Sequence, residues 1–175
     1  GGHRPARLAA ETAWACREAI ARLFNFDRPE NVAFTMNATH ALNIALGSLV
    51  TPGGRVVVSG WEHNAVVRAL HALGAELDVV PGALFDTDAA LEGFRERLRG
   101  AECCVCTHVS NVFGFVLPVY EIAALCREYG VPFVLDASQS AGALPLDAAG
   151  LGADFIAMPG HKGLLGPQGT GVLLC

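Results

Sequence analysis

The chain has no apolar run long enough to cross a membrane as a helix, which needs about 20 predominantly apolar residues. Its basic N-terminal segment leads into Glu11, Arg17 and Glu18, so it lacks the apolar core of a signal peptide. The sequence also has no basic cluster, and its net charge is −5, which argues against nucleic acid as the main partner. These absences predict a soluble, cytoplasmic protein.

Charged residues are few: they make up 17% of the 175 residues, whereas hydrophobic residues make up 52%. This composition excludes a disordered chain and predicts one domain with a substantial core. The mean hydropathy of +0.39 is high for a soluble domain, and two explanations for it are compatible with each other. A large parallel sheet has strands that are buried on both faces, and an apolar surface can be meant for a partner or for a missing segment.

Three of the six cysteines, Cys103, Cys104 and Cys106, stand close enough together to suggest a metal site. They lie in an apolar run typical of a β-strand, in which neighbouring side chains point to opposite faces. Cys103 and Cys104 therefore cannot bind the same ion. We interpret these residues as buried thiols that pack as small hydrophobic groups, and we expect no metal.

Predicted strands and helices alternate along the chain. The predicted helices cover residues 6–24, 38–50, 63–73, 87–98 and 118–129, and the predicted strands cover 32–35, 55–59, 76–80, 103–109, 132–135, 153–157 and 170–174. Strands that alternate with helices of this length are joined by parallel crossovers. The predicted fold class is therefore α/β, a three-layer sandwich with a mostly parallel sheet.

Polar side chains follow the predicted strands where the strands end, which is where such a sheet binds its ligand. They include His63, Asn111, Asp136 and Lys162. An Asp at the end of a buried strand is costly unless it meets a cation or strong donors. Lys162 is the only lysine of the sequence and stands in the glycine-containing segment 159–163.

A small polar turn, residues 37–40, follows the first predicted strand and begins a helix. Free N–H groups and the helix dipole at such a turn suit a phosphate. Asn37 is also an ordinary N-cap residue, and the turn taken alone favours this simpler interpretation.

The whole set of strand-end residues matches the needs of pyridoxal 5'-phosphate (PLP). Its phosphate needs amides and hydroxyls, its pyridinium nitrogen a carboxylate, its ring an aromatic partner and its aldehyde an amine. A nucleotide-binding α/β domain is the alternative. The glycines of residues 166–171 favour it only weakly, because they do not stand between a first strand and a helix.

Five segments resemble the class V aminotransferase family of PLP enzymes and, within it, the branch of cysteine desulfurases and selenocysteine lyases. They are residues 31–43, 62–66, 107–114, 136–142 and 160–171, in the order of the family. The resemblance implies the large domain of a PLP-dependent transferase of the aspartate aminotransferase type (fold type I). Residues 1–175 would be this PLP-binding domain, truncated at both ends and without the small C-terminal domain.

The resemblance also implies a role for each candidate residue. Lys162 would form the Schiff base with PLP and shuttle the α-proton of the substrate. His63, a second catalytic residue, would stack on the ring, and Asp136 would pair with the protonated ring nitrogen. The other residues would bind the rest of the cofactor: Asn111 and Gln139 near the phenolic oxygen, and Ala38, Thr39 and His161 at the phosphate.

The activity implied by the resemblance is removal of sulfur from cysteine to give alanine. Such enzymes are homodimers that act on a small amino acid and pass sulfur to an acceptor protein. A class V transaminase and a non-catalytic fragment that binds PLP are the alternatives. The substrate-binding Arg and the persulfide-forming Cys of the family lie beyond the segment matched here, and none of the six cysteines can be assigned that role.

Overall fold

The computed structural model describes residues 2–175. The strands are β1 (Val32–Thr35), β2 (Arg55–Ser59), β3 (Glu76–Val80), β4 (Cys103–Thr107), β5 (Phe133–Asp136), β6 (Phe155–Pro159) and β7 (Gly171–Leu174). The helices are α1 (Arg4–Leu23), α2 (Ala38–Leu49), α3 (Asn64–Leu73), α4 (Thr87–Arg97), α5 (Val119–Tyr129) and α6 (Ala148–Leu151). None of these helices is long and apolar enough to cross a membrane.

The strands form one sheet in the order β1-β7-β6-β5-β4-β2-β3. Strands β3, β2, β4, β5 and β6 are parallel neighbours, whereas β7 is antiparallel to both β6 and β1. Strand β7 runs backwards because residues 160–170 contain no helix that could carry the chain back for a parallel pairing. The predicted α/β class and the mostly parallel sheet are confirmed.

Helices cover both faces of the sheet and make it the middle layer of three. On one face, α2 and α3 bury Leu42, Leu46 and Leu70 against the strands. On the other face, the remaining helices bury side chains that include Phe94 and Ile122. The strands between these layers are buried on both sides, which is why their sequences are nearly continuous apolar runs.

The boundaries differ from the predicted ones by at most two residues, except where an element was not predicted. Strand β4 ends at Thr107 because Val109 makes only an isolated bridge to Val116. Strand β5 extends to Asp136, which pairs in register with Thr107 and Ala157. Helix α6 was missed, since a single helical turn is too short to show a periodicity.

Candidate active site

The carboxyl ends of β1, β2, β4, β5 and β6 lie at one edge of the sheet, because β1 has the same direction as β6 on the far side of β7. A cleft opens at this edge. It is lined by all the residues predicted for the site: Ala38, Thr39, His63, Asn111, Asp136, Gln139, His161 and Lys162. It is also lined by Asn37, Ala65, Thr107, Val109, Ser138 and Pro159.

Asp136 lies at the inner end of the cleft and is only 2% exposed. Its Oδ1 accepts a hydrogen bond from the Ser138 N–H at 2.9 Å, and no group of residues 2–175 donates to Oδ2. None of the ion pairs of the described chain includes Asp136. A buried carboxylate with so few donors is costly, so the cleft is suited to a ligand that brings a proton donor to this oxygen.

Lys162 is half-buried in the turn that follows β6. The turn contacts the segment after β5 through two glycines whose backbones touch. A Cβ on Gly163 would lie 2.4 Å from the Ala141 carbonyl oxygen, and a Cβ on Gly142 (φ +80°) would lie 2.4 Å from the Gly163 carbonyl oxygen. Only glycine allows this approach, which fixes Lys162 beside the segment that follows Asp136.

Gly163→Ala is therefore expected to destabilise the protein by about 1–3 kcal/mol, because the new methyl group forces the two segments apart. Ligand binding in the cleft should weaken with it. Gly47→Ala is the matched control, since Gly47 lies in α2 with open space around it and the change should stabilise by about 0.5–1 kcal/mol. Urea unfolding of both variants measures the difference, and equal effects would contradict the proposed contact.

His63 is the N-cap residue of α3 and stands at the mouth of the cleft. Its Nδ1 accepts a hydrogen bond from the Ala65 N–H at 3.0 Å. The neutral ring therefore carries its proton on Nε2, and the cap fixes the position of the ring relative to the helix.

The turn before α2 contains an N-cap residue and also has free N–H groups of the kind that bind a phosphate. Asn37 is an N-cap residue whose side chain accepts from the His40 N–H at 2.8 Å. The N–H groups of Ala38 and Thr39 cannot bond within the helix, and both residues line the cleft. Gly171 of β7 packs against this turn so closely that a Cβ would lie 2.7 Å from the Asn37 carbonyl carbon.

Glu62 precedes His63, but its carboxyl group points into the protein and does not line the cleft. Its Oε1 accepts hydrogen bonds from the Thr107 N–H at 2.7 Å and from the Ser59 hydroxyl. Oε2 is buried without a partner, although the residue as a whole is only half-buried. Burial, with a smaller contribution from the Asp136 charge, raises the pKa of Glu62 to about 8. Burial therefore favours the neutral carboxylic acid form of Glu62.

The raised pKa of Glu62 predicts a pH-dependent stability. Between about pH 4.5 and 8 the unfolded chain releases this proton and the folded chain keeps it, so the free energy of unfolding falls as pH rises. The slope should reach roughly 1.4 kcal/mol per pH unit. Urea unfolding at pH 5 and pH 8 measures it: Glu62→Gln should remove this part of the slope. The exposed Glu121→Gln should keep it, and a slope unchanged in Glu62→Gln would contradict the assignment.

The cysteines of β4 lie outside the cleft. Cys103 packs into one layer of the core, and Cys104 and Cys106 pack into the other, as strand alternation predicts. Burial raises the pKa of the Cys103 thiol to about 12 and raises the pKa values of Cys104 and Cys106 well above the ordinary value. These thiols stay protonated at neutral pH and are not nucleophiles.

The cleft, with its lysine, buried carboxylate and capping histidine, lies at the strand ends, where three-layer α/β domains bind their ligands. The chain belongs to the aminotransferase class-V family, whose sequence model matches residues 1–175. The resemblance seen in the sequence is thereby confirmed. A probable cysteine desulfurase of Pyrococcus abyssi is 34% identical over 182 residues, which cover 99% of this chain and 44% of that protein.

Solved structures show the same relationship. The cysteine desulfurase of Thermococcus onnurineus NA1 superposes with a TM-score of 0.87 at 32% identity, over 99% of this chain and 45% of that one. The cystine C-S lyase C-DES, in complex with its reaction product cysteine persulfide, gives a TM-score of 0.88 at 30% identity, over 98% of this chain and 48% of that one. The chain thus spans less than half the length of these relatives.

Proposed function

We propose that the protein is a PLP-dependent enzyme that removes sulfur from cysteine and leaves alanine. The observation that carries the proposal is the cleft, where the only lysine of the chain, a buried unpaired Asp136 and His63 face one space. The relatives described above are cysteine desulfurases and a C-S lyase, which supports chemistry at a carbon–sulfur bond.

One group of cleft residues fits the ring of PLP. The free Oδ2 of Asp136 is an acceptor for the pyridinium N–H, and the carboxylate favours the protonated form of this nitrogen. The ring of His63 is an aromatic partner for one face of the cofactor. Asn111 and Gln139 have side-chain amides that can donate hydrogen bonds to the phenolic oxygen.

A second group of cleft residues fits the phosphate. Ala38 and Thr39 offer backbone N–H groups at the start of α2, where the helix dipole favours an anion, and Thr39 adds a hydroxyl. His161 adds a donor from the turn after β6. The whole chain has a net charge of −5, but neither α2 nor α3 contains an acidic residue. These two helices therefore add no negative charge that would repel a phosphate.

When bound, PLP supplies an aldehyde that condenses with amines and a ring that takes up negative charge from the substrate carbon. Lys162 is the residue of the cleft that can bind this aldehyde, and its Nζ can accept the proton from the substrate Cα. Asp136 holds the proton on the ring nitrogen, and His63 keeps the ring in place and screens it from water.

The function is tested by incubating the complete protein with PLP, cysteine and a thiol reductant, which converts the released sulfur to sulfide, and measuring sulfide, alanine and keto acids. Alanine with one equivalent of sulfur supports the proposal. Transfer of the amino group to a keto acid without release of sulfur would instead make the protein a class V transaminase. Bound PLP without any product would make it a non-catalytic PLP-binding protein, and both results would overturn the proposed activity.

We further propose that residues 1–175 are the PLP-binding domain and that a sulfur-acceptor protein receives the product. No cysteine of residues 2–175 lines the cleft, so no thiol of the described chain is placed to accept sulfur there. A thiol from outside this segment is needed, which fits both a second domain and a separate acceptor protein. The C-DES complex shows that a persulfide is the product of that relative.

We also propose that the protein is a homodimer. Large apolar side chains are exposed, among them Phe34, Phe113 and Leu165, and Leu165 is 91% exposed in the turn that holds Lys162. Surfaces of this kind are typical of subunit interfaces. Sedimentation is expected to give twice the mass of one chain, and Leu165→Asp is expected to lower it. A monomeric protein that binds PLP fully would contradict the dimer.

A further inference from the structure

Glu62 occupies a position where the sheet lacks a backbone partner. Strands β2 and β4 pair from Val56 with Cys103 to Val58 with Val105. Strand β4 continues to Thr107, beyond this pairing, and the Thr107 N–H donates to Glu62 Oε1 at 2.7 Å. The side chain of Glu62 therefore takes the place of a strand carbonyl and satisfies a buried N–H that would otherwise be unpaired.

This hydrogen bond joins two sides of the cleft. Glu62 is covalently adjacent to His63, which caps α3 at the cleft mouth. Thr107 is the register partner of Asp136 on β5, and both line the cleft. The Glu62 side chain and the strand pair of Thr107 with Asp136 therefore connect His63 to Asp136. Loss of the hydrogen bond between Glu62 and Thr107 would alter the distance between His63 and Asp136.

We propose that Glu62 is a positioning residue of this cleft: its Oε1 accepts the hydrogen bond from the Thr107 N–H and thereby sets the placement of His63 relative to Asp136. The inference rests on the proposed function only in taking PLP as the ligand that lies between these two groups. Glu62 itself does not line the cleft.

The neutral form follows from the groups that surround the carboxyl. Ser59 of β2 and the Thr107 N–H bind the same oxygen, and Oε2 has no partner. The titratable groups that act on its charge are Asp136 on β5 and Cys106 on β4, and neither is a cation. His71 of α3 lines the same cavity as Glu62. An ionised Glu62 would thus be a second buried anion beside Asp136, whereas a carboxamide keeps the acceptor without any charge.

The first test needs no cofactor. Hydrogen exchange of the Thr107 amide is expected to be about ten-fold faster in Glu62→Ala, because its acceptor is lost, and unchanged in Glu62→Gln. Glu121→Gln is the control for removal of a carboxylate far from this contact. If Glu62→Ala does not fold, Glu62→Asp replaces it, since its side chain is one methylene too short to reach. If the Thr107 amide exchanges equally fast in all variants, the hydrogen bond from Thr107 to Glu62 is not a positioning contact.

The second test measures PLP binding and the circular dichroism of the bound cofactor, which reports its orientation between His63 and Asp136. The dissociation constant is expected to rise about ten-fold in Glu62→Ala, with a changed dichroism, because misplaced groups lose binding steeply. Glu62→Gln should restore both to the wild-type values. Wild-type binding in Glu62→Ala, or equal losses in Glu62→Ala and Glu62→Gln, would overturn the proposal. If the wild-type protein binds no PLP, the proposed function fails, and the exchange experiment still decides whether Glu62 orders this edge of the sheet.

Discussion

Lys162→Ala is expected to abolish covalent attachment of PLP while leaving the fold intact. The variant removes the only side-chain amine of the chain, so no other lysine can condense with the aldehyde. Lys162 is half-buried and forms no ion pair with residues 2–175, so the free energy of unfolding should change by less than about 0.5 kcal/mol. Borohydride reduction followed by mass spectrometry measures the covalent link, and urea unfolding measures the stability.

Lys162→Arg is the matched control for charge. It keeps a cation in the cleft and leaves the proposed phosphate-binding residues Ala38, Thr39 and His161 intact, yet its guanidinium cannot form the covalent link. A borohydride-stable adduct in either variant would show that another amine holds the cofactor. Loss of the adduct in Lys162→Ala together with its retention in Lys162→Arg would also contradict the role of the Nζ amine.

The strands and the position of the cleft could be predicted because both depend on local pattern. Continuous apolar runs such as 55–59 indicate strands buried on both faces, and polar residues directly after them fall at the same edge of a parallel sheet. His63, Asn111, Asp136 and Lys162 were found in this way, although they are far apart in the sequence. The structure brings them into one cleft, and their roles toward PLP stay predictions.

The antiparallel pairing of β7 could not be read from its sequence. Residues 171–174 have the same apolar character as a parallel strand, and the direction depends on the turn before them. The contact of Gly142 with Gly163 was equally hidden. A glycine signals conformational freedom, but the atom that a Cβ would meet is known only once distant segments are packed together.

Glu62 shows the limit of the pattern most clearly. It stands beside His63 in the sequence and follows the same strand, so the pattern does not distinguish the two residues. The backbone directs His63 to the cleft and the Glu62 carboxyl into the protein, toward Thr107. Thr107 was not predicted for the cleft either, because it is the last residue of an apolar strand and looks like part of the core.

Asp136→Asn is expected to weaken PLP binding without weakening the fold. Hydrogen bonds to charged groups contribute about 1.5–3 kcal/mol, so the dissociation constant should rise roughly 10- to 100-fold when the carboxylate becomes an amide. The Ser138 N–H keeps its acceptor, since Asn retains an oxygen at the same position. Without PLP, the variant should be at least as stable as the wild-type protein, because it no longer buries an unpaired charge.

Asp154→Asn is the control for this substitution. Asp154 also accepts a backbone N–H, that of Phe133 at 2.8 Å, but it lies just before β6 at the opposite edge of the sheet from the cleft. The change from Asp to Asn there should leave PLP affinity unaltered. Titration with PLP and thermal unfolding without it separate the two effects for both variants. The pairing with the ring nitrogen would be refuted by equal PLP affinity in Asp136→Asn and the wild-type protein. A large loss of stability in Asp136→Asn without PLP would instead make Asp136 a structural residue, because its charge would then stabilise the fold in the absence of a ligand.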